Sequence, residues 1–157
     1  MVQLDRRALL IGAAVSLAVP GSSAFSLPTK SIHVVKGRGC GCCTAWVKIL
    51  QEEGFHVTEE EWLPADLVQL KRAKGIPAEL ASCHTAEIMG YVIEGHVPAA
   101  DIRRLIEESP EAIGLSVPGM PYGSPGMGPE DAREAYDVIL IRTDGTGKVF
   151  SSYPAAS

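Results

Sequence analysis

An α/β fold, a mixed sheet flanked by helices, is the class that the order of elements in this sequence predicts. Short β-branched runs alternate with amphipathic stretches, Gly or Pro punctuates each junction, and a late Asp-Gly turn signal separates two further strand-like runs. The chain has 157 residues, 46% of them hydrophobic. That is enough for one domain with a substantial core and a short extra segment, so cysteines are not needed as staples.

Residues 1–24 read as a signal peptide. Arg6 and Arg7 supply a positive start, Leu9 to Val19 a short apolar run, and Ser22-Ser23-Ala24 the small residues of a cleavage site. Arg6-Arg7 with Leu9 and Leu10 behind it also resembles a twin-arginine export signal, although Asp5 stands where Ser or Thr is usual; Tat and Sec remain alternative routes. The apolar run is too short, and too rich in Ala and Gly, for a stable span. The mature form is therefore expected outside the cytoplasm and without a membrane span. Residues 25–30 read as a linker and 31–157 as the domain.

Residues 31–36 are β-branched and apolar, a buried strand, and Gly37, Gly39 and Gly41 follow as a flexible turn. Trp46, Val47 and Leu50 recur at helical spacing from about Cys43, with Gly54 as the stop. Residues 55–62 alternate as a second strand. Pro64 suits the first turn of a helix carrying Leu67 and Leu70 on one face, and Gly75-Ile76-Pro77 ends it. Residues 85–94 read as a hairpin about Gly90. Pro98 opens a third helix with Ile102, Leu105 and Ile106 on one face, closed by Ser109-Pro110. Residues 114–129 form a loop rich in Gly and Pro that contains Met120 and Met127; loops this long in a compact domain tend to be functional. A C-terminal hairpin is expected from residues 137–141 and 148–152 around Asp144-Gly145. Strand, helix, strand, helix, hairpin, helix is the order of a minimal thioredoxin or glutaredoxin core.

The net charge of −5 is dispersed, with no basic run, so nucleic acid is not an expected partner. Sulfur is the conspicuous feature. Of four cysteines, three fall in Cys40-Gly41-Cys42-Cys43 and the fourth, Cys83, precedes His84. Exported thiols tend to oxidise, so this clustering points to soft-metal binding or to thiol–disulfide exchange. Cys40 and Cys43 occupy a Cys-x-x-Cys at a helix start, where unpaired N–H groups favour thiolate. Cys42, inside that motif, suits a metal that wants several thiolates better than a clean two-electron exchange. The segment entering the third strand, Ser82-Cys83-His84-Thr85, lacks the cis-proline usual in thioredoxin-like chains; Cys83 or His84 takes that place in the expected strand order and faces the other cysteines, so that the four sulfurs converge.

Cys40-Gly41-Cys42-Cys43, Ala81 to Thr85, Gly90 to Pro98, and Pro118-Gly119-Met120-Pro121 through Gly126-Met127 together resemble the CopG family of periplasmic copper-resistance proteins. The resemblance covers about residues 31–151. It implies a periplasmic, thioredoxin-like protein that binds copper through clustered cysteines, in some members as a multinuclear copper–thiolate cluster. Cu(I) is soft, favours thiolates, and bridging sulfurs satisfy its low coordination number. Several monovalent cations also neutralise four thiolates better than one divalent ion. Cys40, Cys42, Cys43 and Cys83 are thus the expected ligands, with other envelope copper-handling proteins as partners.

Met120, Met127 and His84 are weaker candidates. Each Met could instead anchor its loop by packing. Adjacent residues on a strand point to opposite faces, which favours an indirect or structural role for His84. His96 reads equally as part of a turn into the third helix. Met89, Trp46 and Trp62 read as core, His33 and His56 as strand residues, and Glu59-Glu60-Glu61 as a solvated edge. The alternative function is a thiol–disulfide oxidoreductase using Cys40 and Cys43; the third is a zinc site, disfavoured because a second Cys-x-x-Cys arm is missing.

Overall fold

The computed structural model describes residues 30–157. The signal peptide expected at 1–24, and the linker except Lys30, lie outside those residues. The elements in order are β1 (Ser31–Gly37), α1 (Gly41–Glu52), β2 (His56–Trp62), α2 (Pro64–Ala73), β3 (His84–Ile88), β4 (Tyr91–Glu94), α3 (Ala99–Glu108), β5 (Gly114–Ser116), β6 (Tyr136–Ile141) and β7 (Gly147–Tyr153). The strands form one seven-stranded sheet, ordered β2-β1-β3-β4-β5-β6-β7. β1 runs parallel to β2 and antiparallel to β3, and β3 runs antiparallel to β4.

Strand alternation divides the apolar residues between the two faces. Ile32, Val34, Ala86, Ile88, Ile93 and Leu115 join Trp46 and Leu50 of α1 and Ile102 and Leu105 of α3 in the main core. Val92 and Ile141 pack with Ile76, just past α2, in a smaller cluster. α1 buries Cys43, Trp46, Val47 and Leu50, the one-sided stripe its sequence spacing demands. α2 carries Pro64 in its first turn and buries Leu67, together with Lys71. α3 ends where Ser109 turns left-handed at φ 45°.

Three expectations need correcting. Residues 114–116 are not loop: they form β5, parallel to β4 and antiparallel to β6, which makes the C-terminal hairpin part of the single sheet. Met89 is not core, because the hairpin turns on Met89-Gly90, and Met89 is 67% exposed with φ 48°. Trp62 is half-buried on the edge strand, its Nε1–H donating to Glu60 Oε2 at 2.8 Å, whereas Trp46 is fully buried as expected.

Gly114 shows why β5 reads as loop. A Cβ there would lie 1.8 Å from the Val92 carbonyl oxygen, so the residue is glycine because β4 passes too close for any side chain. Gly114→Ala should therefore lower unfolding free energy by at least about 3 kcal/mol in denaturant titration. A loss below about 1 kcal/mol would mean that β5 is not held against β4.

Candidate metal centre

β1 and β2 end beside the cysteine turn, and two polar links fix it. Lys36 Nζ, at the buried end of β1, donates to Thr44 Oγ1 at 3.1 Å and to Glu61 Oε1 at 3.0 Å. Thr44 Oγ1 donates to the Cys40 carbonyl at 3.2 Å, tying the first turn of α1 to the loop before it. α1 starts two residues earlier than its apolar spacing suggests. Cys40 is consequently the N-cap residue, with Cys42 and Cys43 in the first turn, where helix N–H groups favour negative charge.

Cys83 comes in from the other side. It immediately precedes β3, whose first residue, His84, pairs with Lys36 of β1. The sulfurs of Cys40, Cys42, Cys43 and Cys83 all lie within 4.8 Å of one another. Cys40 and Cys43 are joined as a disulfide with Cα atoms 5.3 Å apart, while Cys42 and Cys83 are free thiols. The Cys40 and Cys42 sulfurs stand 3.5 Å apart. The long-range approach expected of Cys83 is therefore present.

Two histidines join the sulfurs. Cys83 Sγ lies 3.2 Å from His84 Nδ1 and 3.1 Å from His96 Nε2, and the three donors form a second compact group. The alternation argument against His84 does not apply, because Cys83 precedes the strand and is not bound by its pleat. His96, which the sequence leaves open between a site residue and a turn into the third helix, also belongs to this group. It sits after Gly95, is fully buried, and its Nδ1 donates to the Pro125 carbonyl at 2.7 Å. A neutral imidazole carries one N–H, so His96 Nε2 presents a lone pair towards Cys83. The single Cys83 S–H then goes to His96, and His84 Nδ1–H donates to the same sulfur. This leaves His84 Nε2 a buried lone pair, and that atom has no hydrogen-bond partner. The His84 ring packs against Trp46 at 4.3 Å between centroids, and Trp46 Nε1–H is anchored on the Val97 carbonyl at 2.9 Å.

The methionine loop is compact and packed on α1. Gly123 N–H donates to the Met127 carbonyl at 2.9 Å, and a Cβ at Gly126 would meet Trp46 N at 2.7 Å and the Cys42 carbonyl oxygen at 2.9 Å. Met120 is 55% exposed, and Met127 is half-buried. His33 is half-buried beside Thr58 Oγ1 at 3.1 Å, and His56 is exposed.

Burial, helped by the neighbouring Cys42, pushes the Cys83 thiol up to about 12. Burial likewise holds His84 well below the ordinary histidine value, with His96 and Lys71 adding to the shift, and lowers His96 against the opposing pull of the Pro125 carbonyl. Without metal the site thus holds a protonated thiol and two neutral imidazoles. This donor set suits a soft cation able to displace the thiol proton.

Because both imidazoles have folded pKa values below their unfolded value of about 6.5, they leave stability unaffected above that pH and reduce it as pH falls below. Burial raises the Glu94 carboxyl, which acts in the opposite sense at lower pH. The metal-free chain should therefore lose melting temperature between about pH 6.5 and 5, and His96→Asn should shrink that loss in differential scanning fluorimetry. An unchanged pH slope in the variant would place the loss elsewhere.

The family model described as "Protein of unknown function, DUF411" matches residues 80–127, which include Cys83, both histidines and both loop methionines. No curated protein sequence matches the chain. A solved structure titled copper resistance protein copG, form 1, is 42% identical, with TM-score 0.75, over 81% of this chain and 99% of that one. Its form 2 is 43% identical, with TM-score 0.73, over 80% of this chain and 98% of that one.

Proposed function

The chain belongs to the CopG copper-resistance family, and from that premise we propose that it is an exported protein that holds Cu(I) on cysteine thiolates for copper tolerance or handling. The convergence of the four sulfurs within 4.8 Å carries this reading. Cys40, Cys42, Cys43 and Cys83 are the ligands, and more than one Cu(I) is held, because bridging thiolates serve monovalent soft ions well. His96 Nε2 completes the coordination on the buried side, and His84 Nδ1–H supports the Cys83 sulfur. The periplasm is the site of action, and partners are other envelope proteins that handle copper. Met120 and Met127 lie in the loop covering this region and act as exchange ligands at its rim.

Loading begins with reduction. The Cys40–Cys43 bond takes two electrons and two protons from an external dithiol and yields two thiols. Each bound Cu(I) then displaces thiol protons, which leave to solvent. Anaerobic titration of the reduced chain against a competing Cu(I) chelator tests this, with saturation above one copper per chain expected. Cys83→Ser should cut affinity as severely as Cys40→Ser; full stoichiometry and affinity in the Cys83 variant would remove it from the ligand set. Replacing both Met120 and Met127 by Leu should leave melting nearly unchanged and accelerate copper loss to the chelator. A large drop in melting temperature with unchanged copper kinetics would instead make the two thioethers packing residues.

A second reading has one specific observation behind it. The Cys40–Cys43 disulfide caps α1 as a Cys-x-x-Cys pair does in thiol–disulfide oxidoreductases. Robust catalytic reduction of a protein disulfide by the metal-free chain would favour it over the copper reading.

A further inference from the structure

Ser82, the residue before Cys83, precedes β3 and makes one isolated bridge, to Gly119. Its backbone N–H nevertheless has a charged partner, donating to Glu94 Oε1 at 2.6 Å. The other carboxylate oxygen, Oε2, accepts from Thr85 Oγ1 at 2.7 Å. One buried carboxylate thus grips the chain immediately before Cys83 and again two residues after it. Lys71, reaching in from α2, completes the cage: its Nζ donates to Glu94 Oε1 at 2.5 Å and to Thr85 Oγ1 at 2.9 Å. Glu94 is fully buried and Lys71 nearly so. The chain closes over this grip at Gly95, which has φ 72° and where a Cβ would fall 2.4 Å from Ser82 Oγ. Ser82 Oγ itself donates to the Gly119 carbonyl, next to Met120.

We propose that the buried Lys71–Glu94 pair is the positioning device for Cys83, aiming its sulfur at the cysteine turn through Ser82 N–H and Thr85 Oγ1. A buried ion pair is a poor source of stability, because desolvation offsets its attraction and apolar isosteres commonly do as well. Here the carboxylate does what an apolar pair cannot. It gives an acceptor to a backbone N–H outside the strand ladder, and the ammonium balances its charge. Cys83 is thereby held at a fixed place instead of swinging on an unanchored loop end. The consequence for copper rests on the thiolate reading above; the placement of the thiol does not.

Two double variants separate positioning from mere stability. Lys71→Met with Glu94→Gln removes both charges but keeps an amide oxygen for Ser82 N–H. Lys71→Met with Glu94→Leu removes the acceptor altogether. In the reduced, metal-free chain, Cys83 should be alkylated by iodoacetamide about tenfold faster in the Leu variant than in the Gln variant, which stays near the parent rate. In copper-loaded chains, release of copper to a chelator should show the same order, again by about tenfold. Equal alkylation rates in two folded variants would overturn the proposal.

Should the Leu variant not fold, the parent chain still decides. Its Ser82 amide proton should resonate far downfield, as a carboxylate acceptor demands, and move upfield in the Gln variant. A Ser82 amide at an ordinary shift, unaffected by Glu94→Gln, would equally overturn the proposal. If the copper reading alone is wrong, the parent fails to load copper while the alkylation contrast persists. If the positioning alone is wrong, copper loads and the contrast vanishes.

Discussion

Lys36 faces His84 across the antiparallel ladder of β1 and β3, and this register decides where every sulfur lies. Past Lys36 the chain leaves the ladder towards Cys40; before His84 it arrives through Cys83, at the same end of the sheet. A slip of one residue would reverse the faces of β3, turning His84 away from Trp46. The core forbids that slip. Val34 and Ala86 are register partners, both fully buried in the main cluster with Trp46 and Leu50. The hydrophobic pattern of two short strands therefore positions thiols about forty residues apart in sequence.

Much of this was legible in the sequence because it rests on local patterns. The βαβα-hairpin-α order, the Pro-opened helices and the Asp-Gly turn each announce themselves within a few residues. The convergence of Cys83 was also legible, since topology alone brings that segment to the cysteine turn. What stayed hidden depends on contacts without a periodic signature. β5 is three residues, Gly114-Leu115-Ser116, too short to show alternation and opened by a glycine demanded by Val92. His96 looked like turn punctuation, and only the Pro125 carbonyl reveals the tautomer that aims its lone pair at Cys83. The rule of alternating faces does not separate His84 from Cys83, because Cys83 lies one residue outside the strand and its sulfur stands 3.2 Å from His84 Nδ1.

The electrostatics of the region are consistent with exchange of protons for cations. Cys83 is held protonated, and His84 and His96 neutral, mainly by the cost of burying charge. Lys71, which contributes to lowering His84, is itself balanced by Glu94. The pocket is thus close to neutral before loading. A monovalent cation that replaces a thiol proton leaves the local charge unchanged, whereas a divalent ion on one thiolate adds a positive charge in a poorly solvated place. A divalent ion would have to displace two thiol protons to keep the same neutrality, so the site asks for one thiolate per positive charge.

The Cys40–Cys43 disulfide sits in a framework that brings all four sulfurs together. Cα atoms 5.3 Å apart allow Cys40 and Cys43 to close a bond, and the same separation allows two thiolates to share a bridging ion. Neither Cys42 nor Cys83 contributes to a two-electron dithiol cycle confined to Cys40 and Cys43. Both would compete with it, since a thiol near a disulfide can attack it and scramble the pairing. Cys83 is held protonated, whereas Cys42 lies close to both the disulfide and Cys83. A framework built for disulfide exchange would gain nothing from a third and fourth sulfur backed by two buried imidazoles. A site for a soft cation gives the additional sulfurs a use.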